Sequence, residues 1–179
     1  MSGKTINSPN SNWFVEGLAT AVSVGGFFII VGIIYVTNLG LSQNIINFFN
    51  DLTTVQVPHS TINLPAPLTP AAHTAVYSAA FQFALGIGAI QILVLAIRLA
   101  FGSRIRRTAE TVGGLVFWFG TAYTLNGLAE MKSTMSNAQQ LTLWFQFWSA
   151  IIILIGLSLL ARAAFLYIAA KRHPIPSEV

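Results

Sequence analysis

The side chains of this chain that can do acid–base, metal or ion-pair chemistry are few and widely spaced. There are nine Lys and Arg, five Asp and Glu, three His and no Cys. Without thiols the chain has no disulfide, thiolate metal site or cysteine nucleophile. His59 and His73 lie in or just after one loop, but their fourteen-residue separation is no recognised ligand pattern and no carboxylate cluster accompanies them. Metal binding is therefore not expected there, and no cofactor is expected elsewhere. Four charges recur at or near one end of each apolar segment: Glu16, Arg98, Glu110 and Arg162. Two acids and two bases at a common depth predict an inner charge layer, with Arg98 or Arg162 paired to Glu110 or Glu16. The alternative is snorkelling, in which each arginine reaches the headgroups alone.

The elements that must position these groups follow from composition. Charged residues are 8% of the chain and apolar ones 54%. Soluble proteins carry about 25% charge, so the natural solvent of this chain is a bilayer. No Asp, Glu, Lys or Arg lies between Glu16 and Asp51, Asp51 and Arg98, Glu110 and Glu130, or Lys132 and Arg162. A spanning helix needs roughly 20 mostly apolar residues. Four spans are expected, at about 17–39, 75–97, 111–129 and 141–161. The fold class is all-α, a polytopic antiparallel four-transmembrane-helix bundle, with 1–179 forming a single membrane domain. The first apolar run is too long for a signal-peptide core and is read as an ordinary span.

Orientation follows from the basic residues. Arg104, Arg106 and Arg107 lie in the connection 98–110, which the positive-inside rule assigns to the cytoplasm. Lys4 before the first span and Lys171 and Arg172 after the last agree with it, and segments 40–74 and 130–140 hold one basic residue, Lys132. The expected location is a plasma membrane, multi-pass, with both termini cytoplasmic. The same basic cluster also suits anionic lipid headgroups. It lacks the interleaved aromatics of nucleic-acid binders, so no nucleic acid is expected.

The outer loop, 40–74, is too long for a simple turn. Ile45, Phe48, Phe49 and Leu52 follow helical spacing and predict a short amphipathic helix, with Ser42 placed to cap it. Four prolines between Pro58 and Pro70 then impose an extended segment. The alternation of Val55, Val57, Ile62 and Leu64 suits a β-ribbon, which the prolines oppose.

Small residues recur every seven positions: Gly25 and Gly32; Gly113, Gly120 and Gly127; Ser149, Gly156 and Ala163. That repeat keeps one seam facing a neighbouring helix, and small side chains let membrane helices approach closely. On the second span Tyr77, Ala84, Gly88, Gln91, Leu95 and Arg98 share a stripe. Its polar members should face protein or water.

The stretches RRTAETVGGLVFWFG (106–120) and FWSAIIILIGLSLLARA (147–163) are similar to segments of uncharacterised archaeal four-span integral membrane proteins. The resemblance covers roughly residues 90–165. It implies four spans and an archaeal plasma membrane, and it carries no activity or site residue with it.

The four expected spans contain no Asp, Glu, His, Lys or Arg. Converging ionisable groups, the mark of a membrane enzyme, are therefore missing. The function expected is a non-catalytic accessory, assembly or structural subunit, partnered by the bilayer and by copies of itself or other membrane subunits. The alternative is an oligomeric channel or small transporter with Arg98 at an inner constriction.

Overall fold

The structure is a computed structural model that describes residues 9–58 and 60–172. Four long helices alternate in direction. They are α1 (Pro9–Thr37), α3 (Thr74–Ala100), α4 (Ile105–Ala129) and α5 (Asn137–Arg172). Between α1 and α3 come a short helix α2 (Leu41–Asn50), strands β1 (Leu52–Gln56) and β2 (Asn63–Pro67), and a 3₁₀ turn, Pro70–His73. Three helical segments are long and apolar enough to cross a membrane: Trp13–Thr37, Pro70–Ala100 and Asn137–Lys171.

The helix α4 is comparably long but more polar, and its neighbours explain why. It lies between α3 and α5 and buries Thr108, Ala109, Thr111, Gly113, Thr121, Ala122, Leu125 and Leu128. A helix shielded on two sides needs less apolar surface than one that faces lipid. By contrast α1 and α5 carry rows of exposed large apolar residues, such as Phe28, Ile29 and Ile33, and Ile152, Leu159 and Leu160.

The broad helix–helix seams join α1 to α3, α3 to α4 and α4 to α5. Through these three seams the long helices form an open row. Of these seams, α1 takes part in the one with α3. Asn38 Nδ2 donates to Gln82 Oε1 at 3.0 Å, and Gly26 and Gly86 receive Ile90 and Ile30.

Glycine decides how closely the row packs. A Cβ on Gly113 would lie 2.9 Å from the Ser158 carbonyl oxygen, so backbone meets backbone there. A Cβ on Gly120 would collide with Leu154, and one on Gly88 would sit 3.1 Å from the Phe119 ring. Of the stripe Tyr77, Ala84, Gly88, Gln91, Leu95 and Arg98, the members Gly88, Gln91 and Arg98 meet α4, at Phe119, Gly114 and Thr111, whereas Tyr77 packs on Phe48 and Trp144.

Helix ends differ from the ends of the apolar runs. Helices α3 and α4 extend through most of 98–110, leaving only Phe101–Arg104 as the connection. Gly102 adopts φ 66° there, and the Ser103 N–H bonds back to the Arg98 carbonyl at 2.9 Å. That pattern terminates a helix with a left-handed residue, which favours glycine. Glu110 accordingly sits in the second turn of α4, and the first turn carries Arg106 and Arg107. Helix α2 begins at Leu41, with Gly40 at φ 78° as its cap, so Ser42 is not the cap residue.

The β-ribbon forms despite its prolines. Val55 pairs with Leu64, and the Val57 N–H bonds the Ile62 carbonyl at 2.9 Å. At the other end the Leu68 N–H bonds the Asp51 carbonyl at 3.1 Å. These bonds put residues 51, 55, 57, 62, 64 and 68 at hydrogen-bonded positions of the antiparallel ladder. Pro65 and Pro67 alternate with them, where an N–H would point away from the partner strand. The missing donors are thus at positions that need none.

Two substitutions separate internal from free glycines. Gly113→Ala should force α4 and α5 apart and cost about 1–3 kcal/mol, the usual range for overpacking. Gly25→Ala meets nothing within 4 Å and should leave monomer stability unchanged or slightly raised. Thermal unfolding of both variants in one detergent checks the contrast.

Candidate functional site

Polar groups gather at the two ends of the helix row. At the end formed by the α3–α4 turn, the Schellman-type turn at Gly102 swings Ser103 toward α1. Its hydroxyl donates to Glu16 Oε1 at 2.6 Å. Arg98 Nη2 meets the other Glu16 oxygen at 3.1 Å, and Nη1 donates to the Arg107 carbonyl and to the Thr111 hydroxyl. The Arg98 side chain is 13% exposed. A second pair joins Arg162 Nη2 to Glu110 Oε1 at 3.2 Å. Arg106 and Arg107 approach the same carboxylate at 3.6 and 3.8 Å.

Arg107 links the two pairs, because its carbonyl accepts from Arg98 while its guanidinium nears Glu110. The chain Glu16–Arg98–Arg107–Glu110–Arg162 therefore touches all four long helices. The Arg98 pair is the more enclosed, whereas the side chains of Arg162 and Glu110 are each 34% exposed. Among the described residues Arg104 has no carboxylate within ion-pair distance.

The opposite end is built from the loop 40–74. His73 is 7% exposed, and its Nε2 lies 2.8 Å from Asp51 Oδ2. The same oxygen accepts the Thr69 N–H and the Thr69 hydroxyl, both at 2.9 Å. This clasp joins the end of α2 to the start of α3. Phe48 stacks edge-on against His73, 5.3 Å between ring centres, and also meets Tyr77 and Trp144. Trp144 Nε1 donates to the outward-facing Pro65 carbonyl at 3.3 Å, satisfying an edge group of the ribbon. Gln140 accepts the Ala71 N–H and donates to the Met135 carbonyl, both at 3.0 Å. The largest cluster of buried apolar residues lies at this end. It includes Ala66, Tyr77, Leu125, Leu128, Leu141 and Trp144.

Burial alone would raise the Asp51 carboxyl. The Thr69 amide bond, the His73 contact and the Thr69 hydroxyl outweigh it, and the group ends below the ordinary Asp value. Such a carboxylate stabilises the fold above the ordinary value and loses that contribution as pH falls through its own, lower value.

Of the residues singled out in the sequence, Glu16, Arg98, Glu110 and Arg162 come together in pairs. His73 turns to Asp51, and His59 lies outside the described residues, as do Lys4 and any contact it makes. Among the described residues no three His, Asp or Glu side chains gather where a metal ion could be held. Arg104, Arg106 and Arg107 lie at the start of α4. The residues around His73, namely its partners Asp51 and Phe48 and the Thr69 that also bonds Asp51, were not singled out as a site. One signal was available, since Asp51 is the only charge between Glu16 and Arg98.

No protein-family model, curated protein or solved structure matches the chain.

Two measurements follow. In double-mutant cycles, Arg98→Ala with Glu16→Ala should show a coupling of about 1–3 kcal/mol, as for contacting residues in one network. Arg162→Ala with Glu110→Ala should show about 0–1 kcal/mol, because that pair is more solvated. Arg98→Ala with Glu110→Ala should be close to additive. Separately, wild-type stability should decline below about pH 4, near the ordinary Asp value, and Asp51→Asn should flatten that acid limb. Equal acid limbs in both proteins would remove the clasp from the account.

Proposed function

We propose that the chain is a non-catalytic accessory subunit of a larger membrane assembly, built from copies of itself or from other membrane subunits. It would cross the plasma membrane four times, with α4 as the shielded fourth span. The basic end would face the cytoplasm and the clasped end the outside, in keeping with the positive-inside rule.

One observation carries this reading. The small-residue seams divide into used and unused sets. Gly113 and Gly120 are spent on α5 within the chain, whereas Gly25 and Gly32 on α1 have none of the described residues within 4 Å of the place a Cβ would occupy. Gly156 on α5 is equally open, and Ser149 and Ala163 beside it are exposed. Gly127 on α4 is open as well. The free seams on α1 and α5 lie on the two outer members of an open row. Between lipid-solvated helices, close approach at small residues supplies the association that water would otherwise drive.

The conducting alternative is less favoured. Its motivating residue, Arg98, is engaged by Glu16, Thr111 and the Arg107 carbonyl. A cation held this way is poorly placed to line a water-filled constriction.

The chain has no native cysteine, so single introduced thiols report cleanly. Gly32→Cys and Gly156→Cys should crosslink in native membranes, to a second copy or to another subunit. Gly25→Leu should weaken that association while leaving monomer unfolding unchanged. A crosslink-free monomer from native membranes at every position on both seams would sink the reading.

A further inference from the structure

A cleft of about 230 Å³ opens at the basic end, between the α3–α4 turn and the last turns of α5. Its walls are of two kinds. Arg98, Ser103 and Thr108 supply a polar side, and Phe165, Ile168 and Ala169 an apolar side. The Nε of Arg98 is buried and has no hydrogen-bond partner among the described residues.

The charge around the cleft is unbalanced. Arg98, Arg104, Arg106, Arg107, Arg162 and Lys171 lie at this end of the helices, against Glu16 and Glu110. Glu16 is held by Arg98 and Ser103, and Glu110 by Arg162. No further acid of the described residues remains here to neutralise Arg104, which immediately precedes α4 beside the cleft. The surplus is positive, local and adjacent to a hydrocarbon wall.

We propose that this cleft binds one anionic membrane phospholipid. Its phosphate would lie toward Ser103, Arg104 and the start of α4, and one acyl chain along Phe165, Ile168 and Ala169. A free phosphate ion would use only the polar half of the cleft, and a neutral lipid only the apolar half. An anionic lipid uses both. The occupant complements the excess basic charge, and juxtamembrane bases are attracted to anionic lipids in this way. The inference rests on the membrane placement proposed above, and it is independent of whether the chain associates through its glycine seams.

The test uses the full chain, purified in a zwitterionic detergent and titrated with phosphatidylglycerol, with phosphatidylcholine and inorganic phosphate as separate arms. Bound lipids are counted by native mass spectrometry. One phosphatidylglycerol per chain should saturate first, and neither phosphatidylcholine nor phosphate should displace it. Ala169→Trp fills the cleft and keeps every charge, and it should weaken binding about tenfold, the equivalent of 1.4 kcal/mol. Arg104→Gln should weaken it about fivefold, as for one base removed near an anionic surface. Ala169→Leu serves as the smaller filler if the Trp variant does not unfold cooperatively. Unsaturable phosphatidylglycerol binding that both fillers leave unchanged would reduce the cleft to a diffuse basic surface. Displacement by inorganic phosphate would make it a free-anion site, and equal binding of phosphatidylcholine would remove the charge argument. Each of these three results overturns the proposal.

Discussion

Helices α4 and α5 meet backbone to backbone, where Gly113 lies against the Ser158 carbonyl. Where lipid surrounds apolar helices, burial from water does not select which of them touch, because lipid solvates them as well as a neighbouring helix does. Selection must come from shape and from the few polar groups. Glycine at 113 and 120 lets α5 lie close to α4, and Gly88 admits the Phe119 ring between α3 and α4. These approaches set α4 in the middle, and the composition of α4 follows from that place. It can carry Thr108, Thr111 and Thr121 among its buried residues because its neighbours shield them.

The two ends then fasten the row in different ways. At the basic end a network of charges runs across the helices, with Arg98 as its most enclosed member. Long charged side chains reach between helices whose backbones are too far apart to touch, so α1 is joined there to the start of α4 through Arg98 and Ser103. At the other end the fastening is covalently local but spatially compact. The loop returns on itself as a ribbon, and Asp51, Thr69 and His73 close it. Trp144 and Gln140 on α5 complete the contact by taking up backbone groups of the loop. Most of the water-excluded core lies under this cap. The middle of the row is left with broad exposed apolar surfaces on α1 and α5.

Much of the helical layout was legible in the residues. Charge-free runs located the three strongly apolar helices, since a single ionised group is costly enough in lipid to mark a boundary. The boundaries themselves shifted. A helix continues past the hydrocarbon edge as long as its backbone bonds internally, which is why α3 and α4 absorb most of 98–110 and α5 runs to Arg172. The ribbon was half legible. The alternation of Val55, Val57, Ile62 and Leu64 was visible, but whether Pro65 and Pro67 broke the ladder depended on register, and only pairing decides register. The clasp was not legible, because Asp51 and His73 are 22 positions apart and nothing in their spacing shows that the chain turns back between them.

By itself the sequence determined which stretches form long apolar helices. Its scarcity of charge and its apolar runs yield three helices long and apolar enough to cross a membrane, and its basic residues cluster at one end of the helix row. These properties are sums over many residues, so no single contact can change them. The tertiary structure decided partners. It set Arg98 against Glu16 and Arg162 against Glu110, although either arginine suited either acid from the sequence alone. It set Gly113 and Gly120 of α4 against α5, left Gly25, Gly32 and Gly156 uncovered by the described residues, and arranged the long helices in an open row. Periodicity shows that a helix has a small-residue face. Which neighbour that face meets depends on the rotation of each helix about its axis, and only packing against the other helices determines it.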